Sequence, residues 1–252
     1  TVTIYDTPTA GLVADQLICD DNNDGFWDFD LDALQSDVLG TQVMSQYSIT
    51  FHENQSDADA NANPITSPYT NLTAYQQQTI VARIENIDNS NCYDTSNFII
   101  DVFEQPTPSV YIYELCDDTA DGDDTNGFVD FPLTPTDIDS FVLNGQDPLQ
   151  FTVTYHLNQS DADNDLGAIT NLYTDDRQII ARVENNDNVL CYDTVVVDLQ
   201  VNALPVITNA VSLLQCDTDT DGISDFNLTE SEILISSNFA AETFTYHMSF
   251  AE

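Results

Sequence analysis

The sequence predicts an all-β fold: tandem immunoglobulin-like β-sandwich repeats of about 100 residues, each with an Asp-rich calcium loop and one short helix. Two observations carry this. Three phrases recur in fixed order at nearly constant spacing, and the segments between turn signals are short and rich in β-branched and aromatic residues. A third observation permits it: 42% of the chain is apolar and 10% aromatic, enough for a core despite a formal net charge of −41.

The first phrase opens at Cys19 (CDDNNDGFWDFDL), again at Cys116 (CDDTADGDDTNGFVDFPL) and at Cys216 (CDTDTDGISDFNL), at intervals of 97 and 100 residues. The second, ITFHENQSDAD from Ile49, returns as VTYHLNQSDAD from Val153, and its opening survives as FTYHMS from Phe244. The third, IVARIENIDNSNCYDT from Ile80, returns 99 residues later as IIARVENNDNVLCYDT from Ile179. The opening TVTIYDTPTA aligns with FIIDVFEQPTP and VVVDLQVNALP, the closing strands and linkers of the two full copies. Residues 1–9 therefore read as the end of a preceding repeat, 10–106 and 107–205 as complete repeats, and 206–252 as the N-terminal part of a truncated one. The chain is expected to be a segment of a longer array.

Within a unit the elements follow in order. The Cys-led phrase is a loop by its Asp, Asn and Gly content. A short helix comes next: Asp32, Thr134 and Thr229 hold equivalent N-cap positions, with Gln35, Asp137 and Glu232 three residues on. Pro135 suits the first helical position, and Gly40 or the pair Asn144 and Gly145 suits the end. Phe151–His156 reads as a strand, and the acidic phrases 56–59 and 160–165 after it as polar loops or a further calcium site. Ile80–Glu85 and Ile179–Glu184 read as strands, 84–91 as the turn beyond, and Thr95–Val102 and Thr194–Val201 as closing strands. The linkers at 105–108 and 202–205 bear proline and should act as semi-rigid spacers.

Five cysteines fall one early and one late per repeat: Cys19 with Cys92, Cys116 with Cys191, and Cys216 alone. Spacing cannot select the pairing, because separations within repeats (73 and 75) and across linkers (24 and 25) are both nearly constant. A bond from Cys92 to Cys116 would demand a sharp reversal of an extended segment, since disulfides need Cα atoms within about 7 Å. Bonds within repeats, Cys19–Cys92 and Cys116–Cys191, are the favoured expectation, with free buried thiols as the alternative. Disulfides imply an oxidising, extracytoplasmic compartment.

The charge is chosen, not merely abundant. Of 44 acidic residues 35 are Asp and 9 are Glu, although Glu is the better helix former. Asp20, Asn22, Asp24 and Asp28 around Gly25, and Asp217, Asp219, Asp221 and Asp225 around Gly222, fit D-x-[DN]-x-[DN]-G-x-x-D. Alternate oxygens in such a loop converge on one hard cation, and glycine permits the turn. The twelfth position, where an EF-hand places a bidentate Glu, is Leu31 or Leu228, so these resemble the shorter loops of thrombospondin type 3 or dockerin repeats. In the middle repeat five extra residues disturb the register, and Asp117, Asp121, Asp124, Asn126 and Asp130 are candidates without assigned positions. Structural Ca²⁺ is the expected cofactor; an Asp-rich solvated turn is the alternative.

The other recurring residues have plainer readings. His52, His156 and His247 are a repeat apart and cannot share a metal, so packing is expected of them. Arg83 and Arg182 stand two residues before Glu85 and Glu184 and suit structural ion pairs. Trp27 has no aromatic counterpart at Val129 or Ser224 and so is no repeated sugar platform. With 3 Arg and no Lys, nucleic-acid binding and anionic membranes are excluded as partners, as are a P-loop lysine, a Schiff base and Lys–Asn cross-links.

The series CDDxxDGxxDFxL, TYHxxQSDAD and IxARVENxDNxxCYDT resembles tandem repeats in very large surface proteins of flavobacteria and related Bacteroidetes. Those proteins typically end in a gliding-motility-associated, type B sorting domain and leave the cell by the type IX secretion system. The resemblance covers both full repeats and both fragments, and implies an extracellular, surface-attached or secreted location. It also implies type IX machinery and outer-membrane components as partners through a C-terminus outside this chain. The leading functional expectation is a structural or adhesive array, stiffened by calcium and disulfides, that extends a binding region from the cell for adhesion or gliding, with surface glycans or other cells as its targets. The alternatives are a carbohydrate-binding module and an accessory region of a secreted hydrolase. No catalytic constellation recurs, so no enzyme activity is expected within these residues.

Overall fold

The computed structural model describes residues 2–133, 137–219 and 221–248. Two compact units divide the chain: Thr1–Tyr111, Leu133–Thr170 and Gln178–Val197 form one, and Ile112–Pro132, Asn171–Arg177 and Asp198–Glu252 the other. The first repeat lies wholly in the first unit. Its strands are β1 (Gln16–Asp20), β2 (Asp28–Phe29), β3 (Tyr47–His52), β4 (Tyr69–Thr70), β5 (Gln78–Asn86) and β6 (Asn89–Glu104), with helices α1 (Gln35–Leu39) and α2 (Gln55–Ala60) between them. The main sheet has the order β1-β6-β5-β3, and β2 pairs with β4 in a separate ribbon. β1 runs parallel to β6, and the other pairs are antiparallel.

Period-two alternation places Phe98, Ile100 and Val102 inward, each at most 2% exposed. Beside them on the same sheet face are Ile80, Ala82 and Ile84 from β5, and packed with them are Phe29 from β2, Tyr69 from β4 and Val38 from α1, which makes the ribbon and helix the second layer over one core. Phe51 and Phe98 meet edge to face at 6.2 Å. Each fully buried isoleucine contributes roughly 1.5–3 kcal/mol by removal from water. β5 is buried on its outer face as well, where Arg83 is 2% exposed. Its guanidinium donates to Glu85 Oε2 (3.0 and 2.8 Å), Ala58 O (2.8 Å), Asp59 O (3.3 Å) and Ser90 O (2.8 Å), and it lies 3.6 Å from the Tyr93 ring centroid. Arg182, Glu184, Ala162, Val189 and Tyr192 repeat the arrangement. His52 and His156 are fully buried, their ring nitrogens engaged by Ala62 O and Thr50 Oγ1, and by Leu166 O and Thr154 Oγ1. They are packing residues, as their spacing implied.

The second repeat reproduces the series as β7 (Tyr111–Cys116), β8 (Val129–Pro132), α3 (Asp137–Leu143), β9 (Phe151–His156), α4 (Gln159–Asp163), β10 (Asn171–Thr174), β11 (Arg177–Asn185) and β12 (Asn188–Asn202). Its main sheet is β7-β12-β11-β9 and its ribbon β10-β8. Ile179, Ala181 and Val183 are fully buried, like their counterparts 99 residues earlier. Tandem all-β sandwiches are thus the fold class, as expected. After each linker the chain crosses the short helix in the same way: Gly11 N donates to Val38 O, Ser109 N to Val142 O and Thr208 N to Ile235 O. Gly11 is required there, because a Cβ would fall 2.0 Å from Asp37 O. Beyond residue 206 the described residues form helical turns, Leu228–Ser231, α5 (Glu232–Ile235) and Phe239–Ala241, without strands. Counterparts of β5 and β6, which pair the outer strands of the first repeat, are not part of that segment.

Two local expectations are corrected. The first helical run starts as a 3-10 turn whose N-cap position is Leu31; the side chain that reaches its first turn is Asp30, whose Oδ1 accepts Ala33 N–H, and Asp32 instead takes Gln35 Nε2. In the third copy Asn227, two residues before Thr229, accepts Thr229 N–H. Thr134 and Pro135 lie outside the described residues. The acidic phrases at 56–59 and 160–165 lie in or just beyond α2 and α4, not in open loops: Asn54 accepts Asp57 N–H and donates to Asp57 Oδ2, and Asn158 does the same with Asp161. Each asparagine thereby satisfies one orphan backbone donor of a first turn and ties down the Asp side chain. These contacts occupy the carboxylates of Asp57 and Asp161.

Candidate functional site

Cys19 is the penultimate residue of β1 and lies beside Phe103 in the parallel register with β6. Cys92 sits near the opposite end of β6, eleven residues from Phe103. At about 3.3 Å per residue this separates the two positions by roughly 36 Å. The expected Cys19–Cys92 bond is therefore out of reach, and the expected Cys116–Cys191 bond is excluded because Cys191 is taken by another partner. Cys19 is instead bonded to Cys191 across 172 residues of sequence, with Cα atoms 5.3 Å apart. Cys92 and Cys116 are free thiols, and so is Cys216.

The bond forms because the linker brings the tip of the second repeat's hairpin to the end of β1. Asn185 Nδ2 donates to Glu104 O (2.9 Å), Gln150 Nε2 to Glu104 Oε2 (2.8 Å), and Gln105 Nε2 to Tyr192 O (2.6 Å). On the other side Asn23, at φ +54°, clasps the linker twice: its Nδ2 donates to Gln105 O and its Oδ1 accepts Gln105 N–H, both at 2.9 Å. The linker peptide is thus held by the Asp-rich loop of one repeat and by the hairpin of the next, one residue from a covalent cross-link. The first repeat shows half of the same arrangement, with Asn86 Nδ2 donating to Asp6 O at 3.1 Å. Asn23, Gln105, Gln150 and Asn185 were not singled out from sequence, although Asn86 and Asn185 hold the same place in the third phrase. A cleft of about 520 Å³ beside the junction is lined by Asp15, Tyr75, Asp101, Glu104 and Asp187 among others. Burial, and then the field of Asp187, push the Asp101 carboxyl above the usual range.

The Asp-rich loops follow directly from the early cysteines. In the first, Asp20 is fully buried; its Oδ2 accepts Gly25 N–H (2.6 Å) and Tyr75 OH (3.1 Å), and its Oδ1 accepts Asn22 N–H (3.2 Å). Asn22 Oδ1 takes Asp24 N–H, and Asp24 Oδ1 takes Phe26 N–H. Gly25, at φ +81°, is forced by the turn, and a Cβ there would fall 2.4 Å from Ala74 Cβ. In the third loop Asp217, Asp219 and Asp221 accept the N–H groups of Asp219, Gly222, Asp221 and Ile223 in the same pattern. Each offers an oxygen within 4.8 Å of those of the other two. Asp225 is not part of this group, and Asp28 on β2 instead accepts from Thr70 Oγ1.

The middle loop acquires its register from the structure. Gly127 N–H donates to Asp117 Oδ2 and Phe128 N–H to Asn126 Oδ1, so Asp117, Asn126 and Asp130 stand where Asp20, Asp24 and Asp28 stand in the first repeat. Asp124, half-buried, holds the position of Asn22, and Asp130 on β8 accepts from Asn171. Asp121 belongs to the insertion. Its Oδ2 accepts from Tyr173 OH and from Asn126 Nδ2, and with Asp123 N–H these donors hold its carboxyl down to about 2. The same contact raises the Tyr173 phenol. The donors along all three loops are oxygens, the set a hard divalent cation takes. No described helix is long and apolar enough to cross a membrane.

No curated protein matches the chain. Among solved structures, protocadherin gamma B7 extracellular cadherin domains 1–4 align at 13% identity over 82% of this chain and 55% of theirs, with a TM-score of 0.20. Human mucin-like protocadherin EC1-2 aligns at 10% identity over 76% of this chain and 96% of its own, also at 0.20. The chain spans about half the length of the first. One family model matches twice, at residues 15–108 and 112–205, so it covers both repeats, with a break just after the proline-bearing linker. Its description names the cross-link that Cys19 and Cys191 make from one repeat to the next, and the chain belongs to the Flavobacterium inter-domain disulphide bond domain family.

Proposed function

We propose that this segment is a tension-bearing spacer in a large secreted cell-surface protein, a structural array that holds an adhesive or gliding element away from the cell. The observation that carries the reading is the Cys19–Cys191 bond beside a linker hydrogen-bonded from both sides. A covalent bridge between successive repeats limits bending at the junction and shields the enclosed chain from a pulling force. Such a bond persists only in an oxidising compartment, which supports an extracellular location. Applied to the remaining cysteines, the pairing rule joins Cys92 and Cys116 to cysteines of neighbouring repeats. Export by the type IX route and attachment to outer-membrane components belong to this reading, with glycans or other cells as targets of the displayed element. On it the segment has no catalytic task of its own.

Single-molecule pulling between the chain ends tests the spacer role. Under oxidising conditions the residues enclosed by the bond should not extend, and reductant should release roughly 600 Å of additional contour, from 172 residues at about 3.5 Å each. Equal contour gains with and without reductant would remove the proposal's basis.

Calcium completes the reading, with Asp20, Asn22, Asp24 and Asp28 holding one ion and Asp217, Asp219, Asp221 and Asp225 another. Bound cations would relieve the repulsion among carboxylates in a chain that supplies only three cations of its own. At a hundredfold excess over Kd each site should add about 2.7 kcal/mol of stability. Chelation should therefore lower the melting temperature of the chain, and calcium should restore it. A melting temperature indifferent to chelator would rule out stabilising calcium in these loops.

A further inference from the structure

Asp117 differs from every other acidic residue described. It is 2% exposed, its Oδ2 accepts Gly127 N–H at 2.7 Å, and its Oδ1 is buried with no hydrogen-bond partner among the described residues. The counterparts are satisfied: Asp20 Oδ1 takes Asn22 N–H and Asp217 Oδ1 takes Asp219 N–H, both at 3.2 Å. The five inserted residues explain the difference. They divert the turn into hydrogen bonds of its own, Ala120 N–H to Asp118 Oδ1 and Asp123 N–H to Asp121 Oδ1, so Gly127 N–H returns to Oδ2 but no second backbone donor reaches Oδ1. The insertion brings Asp121 in exchange, tied to Asn126 and Tyr173. Gly127, whose N–H meets Asp117, directly follows Asn126, whose side chain holds Asp121, so one turn carries both carboxylates. A water molecule would supply Oδ1 with a hydrogen bond but would leave a desolvated charge among other charges of the same sign.

We infer that the middle loop binds a divalent cation of the calcium class through Asp117 Oδ1, with Asp121 and Asn126 as neighbouring oxygen donors. This rests on the calcium reading of the loops but assigns a site of different construction, in which the ion replaces a backbone N–H as the partner of the buried carboxylate. The inserted residues are then ligand-bearing and not a tolerated irregularity. Affinity in the range of extracellular modules, on the order of 10⁻⁴–10⁻³ M, is expected.

Calcium titration calorimetry and terbium luminescence on the 252-residue chain test it. Asp117→Asn should bind about one fewer Ca²⁺ per chain and lose the terbium emission sensitised by Tyr173, while emission sensitised by Tyr75 beside Asp20 persists. Its melting temperature in chelator should equal or exceed that of the unsubstituted chain, because a buried charge without a partner has been removed. Asp121→Asn, at an exposed position, is the second variant and should weaken the same ion roughly tenfold without affecting folding. Unchanged stoichiometry in Asp117→Asn, or a lower melting temperature in chelator and calcium alike, would overturn the inference and leave Asp117 as an acceptor for Gly127 alone. Trp27 lines one cleft with Asp24 and Asp28 in the first loop, so tryptophan-sensitised terbium reports that loop separately. Loss of the tryptophan signal with the Tyr173 signal intact would refute calcium in the first loop and leave the middle site standing.

Discussion

Replacing Cys19 and Cys191 together with serine is expected to lower the unfolding free energy of the oxidised chain by about 5 kcal/mol. The figure is the chain-entropy cost of releasing a closed loop of 172 residues. Chemical denaturation under oxidising conditions measures it, and reductant should then have no further effect on the double variant. Cys92→Ser and Cys116→Ser remove thiols that are free here and should leave the transition in place. If either single variant destabilised the chain as much as the double variant, the Cys19–Cys191 pairing would be wrong. The hydrogen bonds from Asn23, Gln105 and Asn185 should still seat the linker without the bond, but each contributes only about 1 kcal/mol.

Arg83→Ala should cost about 3–5 kcal/mol, the second largest effect, because it breaks a buried ion pair by removing one partner. Glu85, beside a guanidinium only 2% exposed on its side chain, would keep its charge without the two N–H donors it now accepts. The carbonyls of Ala58 and Ser90 would also lose their donors, which loosens α2 and the hairpin from β5. Arg83→Lys should recover little of this: a lysine cannot reach Glu85, Ala58 and Ser90 together or stack flat on Tyr93. Equilibrium denaturation of both variants checks this, and a lysine variant as stable as the parent would show that charge alone suffices. Arg182 occupies the same network in the second repeat, so its alanine variant should behave alike.

Much of the repeat was legible because local chemistry and distant chemistry agree there. Alternation in Ile80–Glu85 and Thr95–Val102 marks strands that the structure pairs as β5 and β6. His52 and Arg83 recur at fixed places because each satisfies carbonyls within its own repeat. The side chains that serve the helix starts were displaced by two residues because a 3-10 turn precedes α1, a shift that side-chain spacing does not encode. The helix α2 carried a readable sign, Asn54 three residues before Asp57, which the acidic character of the phrase obscured. The linker clasp carried no sign at all: Asn23 and Gln105 are 82 residues apart and ordinary in type.

By itself the sequence determined the repeat length, the strand pattern, the placement of the Asp-rich loops and the oxygen character of their donors. These depend on residue type and local spacing, which a chain carries in one dimension. The choice among cysteines depended on three. Cys19 and Cys92 recur together in sequence but stand at opposite ends of a sheet, because β6 runs away from its hairpin for its full length before reaching the register of β1. Cys191 reaches Cys19 only because the linker returns the next hairpin to that end. The orphaned oxygen of Asp117 has the same origin: its residue type was visible, but its burial and the loss of its donor were decided when the inserted turn folded on itself.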